Sequence, residues 1–183
     1  MVAELRNDSS VDMELDEVFF YFYDASDEVV CKRWTYAYDD VLPPGGITVA
    51  KETVPTQMYW DNETNDFPED WVRYEVVVSA EPYQPAEGKA EPIEVTVQNV
   101  AVTVTSSGGL EVTGSVLHTG QETATDITPY AILYDSVGTI LNADKAYISD
   151  DIQPGQSLDF EISFSYNEPI DYDHYLVKAY AEG

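Results

Sequence analysis

The clearest pattern along the chain is an alternation of apolar and polar positions with a period of two. The segment SLDFEISFSY, residues 157–166, places apolar side chains at every second position, namely Leu158, Phe160, Ile162 and Phe164. Successive side chains of an extended strand point to opposite faces, so this segment predicts a strand with one buried and one solvated face. Helical periodicity is almost absent from the chain. The protein is therefore predicted to be all-β.

The same pattern predicts six strands in the second half of the chain, at residues 93–105, 110–118, 127–135, 139–149, 157–166 and 173–181. Turn sequences separate several of them, at 106–109 (SSGG), 135–138 (DSVG) and 153–156 (QPGQ). Glycine permits positive φ and proline presets the bend, as tight turns require. Short strands in series with tight turns favour a β-sandwich.

Three segments of the first half return in the same order in the second half. Tyr134 of AILYD lies 111 positions after Tyr23 of FYFYD, and Pro154 lies 110 positions after Pro44. YLVKAYAE at 175–182 begins 101 positions after YEVVVSAE at 74–81. This order indicates one unit repeated twice. The shrinking offset predicts about nine extra residues between positions 47 and 73, within an acidic loop.

The repeat predicts two domains joined by a connector. Residues 81–92, EPYQPAEGKAEP, contain three prolines and several charges, which resist both helix and sheet. We therefore expect a first domain at 1–81, a proline-rich linker at 82–92 and a second domain at 93–183.

The repeated motif has a structural interpretation. In an extended strand Phe20 and Phe22 share one face, which is expected to be the core, and the following tyrosine then lies on the other face. Ala131 and Leu133 are expected to be buried in the same way in the second copy. The closing aspartate begins a turn, where its carboxylate accepts backbone N–H groups.

The overall charge of the protein restricts its partners. The 183 residues carry a formal net charge of -27, yet 44% of them are hydrophobic, which indicates a folded core beneath an acidic surface. Such a surface repels phosphate backbones and anionic lipid, so we expect no nucleic acid partner and no direct membrane insertion. A salt-rich habitat, a halophilic cytosol or secretion would each explain the acidity.

The remaining composition points to few special features. Cys31 is the single cysteine, so no disulfide forms within the chain, and its apolar setting predicts a small buried hydrophobic residue. No stretch reaches the apolar length of a membrane-spanning helix, and the first ten residues do not resemble a signal peptide. If the protein is exported, its targeting segment is expected to lie outside this sequence.

The second unit, from GLEVTGSVLHTGQETATDITPYAILYDSVGTIL onward, resembles the FxLYD domain over residues 93–183. The resemblance implies a small immunoglobulin-like sandwich of exported bacterial and archaeal proteins, many of them lipoproteins. It departs from the family pattern at Ala131 and Phe22 within the motif, and at His118, where the family usually has Asn before Thr-Gly. The resemblance implies an extracellular interaction module at the cell surface and supplies no catalytic residues.

The first domain is expected to lack its opening strand. Two predicted strands precede the HTG sequence of the second unit, whereas only MVAELR precedes the corresponding NDSS at residues 7–10. An unpaired sheet edge tends to find a partner. A homodimer through this edge is therefore one expected arrangement, and the identity of any protein or glycan partner stays open.

Alternating aromatic residues in RWTYAYD suggest a candidate binding surface. Sandwiches commonly present such rows to sugar rings, but the same pattern is also typical of a core. Tyr36 and Tyr38 align with Ala146 and Ile148 of the second unit, which predicts that both are buried. Trp34 aligns with a charged position and is predicted to be exposed. Together with Tyr59 and Trp60 in the acidic loop, it forms the predicted binding residues.

A second candidate is a cation site in DNETND, residues 61–66. Asp61, Glu63 and Asp66 offer several oxygen ligands, but the loop lacks the glycine at position six and the carboxylate at position twelve of an EF-hand. A solvated acidic loop is the simpler interpretation. The acidic pairs at 39–40 and 150–151 are likewise expected to be solvated corners.

No motif for catalysis is present. The two histidines cannot build a His-rich metal centre, and nucleophile-elbow, zincin, P-loop and dinucleotide fingerprints are missing. We expect no enzyme and no cofactor. Three hypotheses follow: a non-catalytic interaction or spacer module of a secreted or surface-anchored protein, a carbohydrate-binding module, and a calcium-stabilised adhesin repeat.

Overall fold

The protein is built from β-strands and turns. The computed structural model describes residues 1–52, 70–86, 91–106, 108–164 and 171–183. Twelve antiparallel strands and no helix occur within these ranges, which confirms the predicted all-β class. None of the described segments forms a helix that is long and apolar enough to cross a membrane. The chain divides into two compact units, Met1–Tyr83 and Gln84–Gly183.

The first unit contains six strands. They are β1 (Val2–Arg6), β2 (Met13–Tyr23), β3 (Val29–Tyr36), β4 (Val41–Leu42), β5 (Ile47–Lys51) and β6 (Arg73–Pro82). β1 pairs with β5 in a small sheet. In the other sheet β2 pairs along its length with β6, and its opposite edge pairs with β3 and then β4.

The second unit also contains six strands. They are β7 (Val95–Val104), β8 (Leu110–His118), β9 (Thr125–Tyr134), β10 (Ile140–Lys145), β11 (Ser157–Phe164) and β12 (His174–Glu182). One sheet has the order β10-β9-β12 and the other has the order β11-β8-β7. Two three-stranded antiparallel sheets enclosing a core form a β-sandwich, as the series of short strands predicts for this half of the chain.

Each unit buries its own hydrophobic core. In the second unit both sheets contribute, because Val112 and Val116 of β8 cluster with Leu133 of β9 and Phe160 and Ile162 of β11. The alternation predicted along 157–166 is confirmed within β11, since its apolar side chains face this cluster. In the first unit a separate cluster joins Leu5 of β1 to Val18, Phe20, Phe22, Ala37 and Ala50.

The repeated motif occupies corresponding positions in the two units. Phe20, Phe22, Ala131 and Leu133 are fully buried, as predicted. Phe22 of β2 lies opposite Tyr74 of β6, and Leu133 of β9 lies opposite Tyr175 of β12. The register between the motif strand and its neighbouring strand is therefore the same in both units.

Both motif aspartates organise the turn that follows them. Asp24 Oδ1 accepts the backbone N–H groups of Ser26 at 2.8 Å and Glu28 at 3.0 Å. Asp135 Oδ1 accepts those of Val137 at 2.9 Å and Thr139 at 2.8 Å. The predicted role of the closing aspartate is confirmed. These bonds stabilise the ionised carboxylate, and the pKa of each aspartate is lowered as a result.

Buried polar side chains hold the corners that follow β1 and β8. Asn7 donates from Nδ2 to the carbonyl oxygens of Leu42 at 2.8 Å and Val11 at 2.7 Å. His118 holds the carbonyl of Glu122 through Nε2, and its Nδ1 accepts the N–H of Gly120 at 3.0 Å. His118 is therefore a buried structural residue at the corner that follows β8.

The ends of several elements differ from the sequence prediction. β10 ends at Lys145 because Pro129, the next residue of β9, has no N–H to donate, although Ala146 still donates its N–H to Pro129 at 2.9 Å and Ile148 bridges Ile127 in the same register. β6 extends to Pro82, and Pro92 forms a bridge with Glu182. Both ends of the predicted linker 82–92 thus take part in strand pairing.

The edge of β1 distinguishes the two units. β8 pairs with β11 on one edge and with β7 on the other. β1 pairs with β5, and no strand among the described residues pairs with its other edge. This is the arrangement expected of a first unit without an opening strand.

Candidate binding face

The outer face of the β2 sheet is unusually aromatic. Val18, Phe20 and Phe22 point into the core, so Phe19, Tyr21 and Tyr23 point to the opposite side of β2. The three outward rings are partly exposed. We call the set Phe19, Tyr21, Tyr23, Trp34 and Tyr36 the aromatic face.

Strand β3 contributes the two most accessible rings of the aromatic face. Its register places Trp34 opposite Phe19, and Tyr36 opposite Glu17. Trp34 is 54% exposed and Tyr36 is 55% exposed. The two rings pack edge to face, with centroids 5.2 Å apart and an interplanar angle of 84°. Edge-to-face packing is a favourable arrangement of two rings, and it leaves about half of each residue in solvent.

Strand β6 extends the apolar surface across the sheet. Val77 lies opposite Phe19 on the side away from β3 and is 49% exposed. Trp34, Phe19 and Val77 therefore form one row across three neighbouring strands. Neighbouring strands lie about 4.8 Å apart, so the row spans roughly 10 Å across the sheet. Large exposed apolar groups gathered in this way mark interaction surfaces more often than scattered ones do.

Lysine covers part of the aromatic face. Lys32 lies opposite Tyr21, and its ammonium nitrogen sits 3.8 Å from the centre of the Phe19 ring and 5.3 Å from that of Tyr21. Such a cation over an aromatic ring is held by the ring quadrupole. The outward surfaces of Phe19 and Tyr21 are therefore shielded, which leaves Trp34 and Tyr36 as the rings open to a ligand.

A charged network fixes the end of the face nearest the turn after β2. The Tyr23 hydroxyl donates to Glu75 at 2.8 Å, and Arg73 donates to Glu75 at 2.8 Å and to Asp27 at 3.0 Å. The guanidinium carbon of Arg73 also lies 3.7 Å from the centre of the Tyr23 ring.

The same network shifts three pKa values. The bond from Tyr23, followed by that from Arg73, lowers the pKa of the Glu75 carboxyl. The carboxylate of Glu75 raises the pKa of the Tyr23 hydroxyl, and the bond to Asp27 raises that of Arg73. All three groups thus favour the ionisation states that keep the network together near neutral pH.

The structure separates the predicted alternating aromatics. Trp34 is exposed and Tyr38 is buried at 8% exposure, as the alignment of the two units predicts for both residues. The prediction that Tyr36 is buried is wrong. The chain leaves the β2 sheet directly after Tyr36, since Ala37 bridges Ala50 and Tyr38 donates its N–H to Val49 at 2.9 Å. Tyr36 therefore still lies on the outer face, whereas Tyr38 already belongs to the core.

The other predicted site residues lie outside the described residues. These are the binding residues Tyr59 and Trp60 and the metal ligands Asp61, Glu63 and Asp66. Their roles in glycan or calcium binding stay predictions. Within the described ranges, no group of three or more His, Cys, Asp or Glu side chains is arranged to hold a metal ion.

Two further predictions concern Cys31 and the acidic corners, and Trp71 is a further aromatic residue of the first unit. Trp71 packs against the first core, with its ring edge to face with Phe22 at 5.5 Å. Cys31 is half-buried and packs against the same core. Asp150 and Asp151 are exposed, as expected of solvated corners, but that expectation is wrong for Asp39, which is 4% exposed.

The aromatic face includes residues that the sequence reasoning does not single out. These are Phe19 and Tyr21, which the run FFYFY at 19–23 indicates, and Val77 of β6 extends the face beside Phe19. Consecutive aromatic residues along a strand point alternately to its two faces. Only one face of this strand packs on the core, so every second ring of the run lies on the outer surface.

Comparison with known proteins adds no relative. No protein-family model, curated protein or solved structure matches the chain. The FxLYD resemblance therefore stays a prediction from the residues that suggest it, and the functional argument depends on the geometry of the described residues.

Proposed function

We propose that this chain is a non-catalytic interaction module of a secreted or surface-anchored prokaryotic protein, and that the aromatic face of the first unit is its binding surface. The single observation that supports the proposal most is the pair Trp34 and Tyr36. Both are about half exposed, the two rings pack edge to face, and Trp34 belongs to an apolar row across the sheet. Exposed tryptophan and tyrosine supply large contact area with few rotatable bonds, which is why they dominate binding surfaces.

The scaffold beneath the face suits binding without conformational change. The inward residues of β2 are fully buried, and β2 is paired on both edges. A ligand that contacts Trp34 therefore meets side chains mounted on a packed sheet, which limits the entropy lost on association. The acidic surface elsewhere disfavours phosphate-bearing partners by long-range repulsion.

A carbohydrate is the ligand class that Trp34 and Tyr36 favour. Sugar rings carry apolar C–H faces that pack on indole and phenol rings, while their hydroxyls need hydrogen-bonding partners at the rim. Glu17 lies opposite Tyr36, and Lys32 lies within the same face. Along β2 the segment from Glu17 to Tyr23 spans about 20 Å, enough for an extended rather than a compact ligand.

The test is binding to soluble neutral polysaccharides, measured by affinity electrophoresis and by quenching of tryptophan fluorescence. We expect the wild-type chain to be retarded by at least one polysaccharide, and Trp34→Ala to weaken that binding at least about tenfold, as loss of an aromatic anchor does. Trp34→Phe should retain part of the affinity, because a smaller ring still stacks.

The matched control is Tyr147→Ala. Tyr147 is 71% exposed and lies in the second unit, so it removes an accessible ring outside the aromatic face. Unchanged affinity in this variant, together with loss in Trp34→Ala, would support the proposed surface. Equal loss in both variants would contradict the assignment of binding to the aromatic face. Absence of binding to any neutral polysaccharide would exclude the carbohydrate ligand and leave a protein partner for the face.

A further inference from the structure

Within the described part of the chain, β1 is paired on one side only, with β5. Met1 exchanges hydrogen bonds with Glu52 at 2.7 and 3.0 Å, and Asn7 donates its N–H to Gly46 at 3.1 Å. Odd-numbered residues of this strand therefore direct their backbone groups toward β5. In an antiparallel ladder the alternate residues point the other way, so the N–H and C=O groups of Val2 and Arg6 face away from β5.

The second unit shows what covers the corresponding edge there. Gly45 donates to the carbonyl of Asn7 at 2.8 Å, and Gly155 donates to that of His118 at 3.0 Å, so these two corner residues correspond. Counting back, Leu5 of β1 corresponds to Val116 of β8. Val116 lies opposite Val97 of β7 in an antiparallel ladder. A strand at the edge of β1 would place its own residue opposite Leu5 in the same way.

The space beside β1 is an open groove lined largely by apolar side chains. It has a volume of about 390 Å³ and lies between β1 and the strands β2 and β6. Leu5, Leu15, Val78 and Ala80 contribute to its walls. In the second unit, Val95 and Val97 of β7 pack against the core, and Ile93 just before β7 donates its N–H to Ala181 at 2.8 Å. The groove of the first unit is thus the position that β7 fills in the second.

We infer that a second copy of this chain covers the edge, with the two β1 strands antiparallel about a two-fold axis at Leu5. In this register Leu5 faces Leu5 of the second copy over the groove, as Val116 faces Val97. Glu4 of each copy lies opposite Arg6 of the other. The outward backbone groups of Glu4 and Arg6 of one copy then meet those of Arg6 and Glu4 of the other, and Val2 lies opposite Asp8.

Charge selects this register over its neighbours. Glu4 and Arg6 are both exposed and share the face of β1 opposite to Leu5. Shifting the two-fold axis to Glu4 would place two carboxylates together, and shifting it to Arg6 would place two guanidinium groups together. Like charges directly opposite each other destabilise a strand pair, and opposite charges stabilise it. Arg6 contacts Asp8 at 3.1 Å in an exposed ion pair, which exchanges readily for another.

The test is sedimentation velocity of the full chain and its charge variants, in about 0.15 M salt so that the repulsion between two acidic copies is screened within about 8 Å. The wild-type chain should sediment as a concentration-dependent dimer. Glu4→Arg and Arg6→Glu, each alone, should raise the dimer dissociation constant at least about tenfold, because two attractive cross-strand pairs become repulsive.

Two rescues make the experiment specific for the register. The double variant Glu4→Arg/Arg6→Glu restores both opposite-charge pairs and should dimerise like the wild type. An equimolar mixture of the two single variants should form a heterodimer, since one copy then carries two arginines and the other two glutamates. Far-UV circular dichroism identical to the wild type would show that each variant is folded.

Several results would overturn the inference. A wild-type chain that stays monomeric at every attainable concentration would exclude the second copy as the occupant of the groove. A dimer that persists unchanged in both single variants would place the interface elsewhere. Weakened dimers that neither the double variant nor the mixture rescues would reject the register centred on Leu5.

Discussion

The carboxylate of Asp135 illustrates how one charged residue fixes a turn at the exposed end of a buried strand. It accepts backbone N–H groups from Thr139 and Val137, and Thr139 returns the chain into β10. These bonds lower the pKa of the Asp135 carboxyl, so its ionised form is more strongly favoured in the folded protein than in the unfolded chain. A depressed pKa contributes stability above the pKa of the unfolded chain and loses it as the pH falls through the folded pKa.

We therefore predict a pH-dependent effect of Asp135→Ala. The variant should have a lower melting temperature than the wild type at neutral pH, and the difference should shrink as the pH is lowered below the ordinary aspartate value of 3.8. Differential scanning calorimetry across this range measures both. The quantity to compare is the difference in melting temperature between the variant and the wild type, because protonation of the many other carboxylates changes both proteins alike.

Asp135→Asn separates the charge from the hydrogen bonds. The asparagine oxygen still accepts N–H groups, but it does not titrate. Its melting temperature should therefore differ from the wild type mainly above the aspartate pKa, by less than that of Asp135→Ala. A difference between Asp135→Ala and wild type that is constant from neutral to acid pH would show that the carboxylate charge contributes nothing to the turn.

Residue patterns in the sequence predict the burial of several aromatic side chains of the first unit correctly, but the prediction for Tyr36 is wrong. The period of two correctly identifies Phe20 and Phe22 as core, because both lie within one continuous strand. The alignment of the two units, in contrast, fails for Tyr36: the aligned residue Ala146 suggests burial, but Tyr36 shares the exposed face of Trp34 and the chain changes sheets directly after it. A crossing between sheets breaks the alternation, and a single sequence does not show at which residue the crossing occurs.

At the scale of strands, Gly114 shows how a pairing determines residue size. β8 places Gly114 opposite Phe160 of β11, and the Phe160 ring lies over the glycine. A Cβ atom at this position would stand 2.7 Å from Cζ of Phe160 and 3.2 Å from the carbonyl oxygen of Gln98. The absent side chain is therefore a requirement of the cross-strand pair rather than of backbone conformation.

Gly114→Ala is predicted to destabilise the second unit by about 1–3 kcal/mol, the usual cost of forcing one additional methyl group into a packed site. Urea unfolding followed by far-UV circular dichroism measures the change in the free energy of unfolding. All three tryptophans lie at positions 34, 60 and 71, so tryptophan fluorescence reports on the first unit and serves as an internal reference.

The companion variants are Phe160→Leu and the double variant. If the clash with the ring causes the loss, Gly114→Ala should cost less in the Phe160→Leu background than in the wild type, and the double-mutant cycle should show coupling between the two sites. Additive effects would indicate that the backbone of β7, and not the Phe160 ring, limits the space at Gly114.

Element boundaries follow less closely from sequence than element type. Strand type follows from alternation and turn chemistry, which is why β8 begins and ends as predicted, at residues 110 and 118. The predicted strand at 139–149 is longer than β10 because Pro129 of β9 has no N–H for Ala146, which interrupts the ladder although Ile148 still pairs in the same register. The interruption comes from a residue of the partner strand, and the sequence of 139–149 alone does not show which residue that is.

On the scale of the whole molecule, the charges are mostly acidic, but cations lie against the rings of the aromatic face. The 35 acidic and 8 basic residues give a strongly negative chain, yet the aromatic face gathers Lys32 and Arg73 around its rings. Two of the few cations thus stabilise the rings of the face instead of being spread over the surface. The negative remainder keeps copies apart except where opposite charges meet, which is consistent with a proposed dimer edge that contains Arg6.

This imbalance predicts that salt stabilises the fold. A formal net charge of -27 on 183 residues favours the unfolded chain, in which the charges are farther apart. The melting temperature should rise steeply as salt is added from low concentration and level off near about 1 M, where the screening length falls to about 3 Å. Asp159→Asn/Glu161→Gln removes two exposed carboxylates from the outer face of β11, so it should raise the melting temperature at low salt and flatten its dependence on salt.

Sodium and potassium chloride should act alike, because screening depends on ionic strength. A melting temperature that does not change with salt, or a variant with the same salt dependence as the wild type, would show that self-repulsion is not what limits stability.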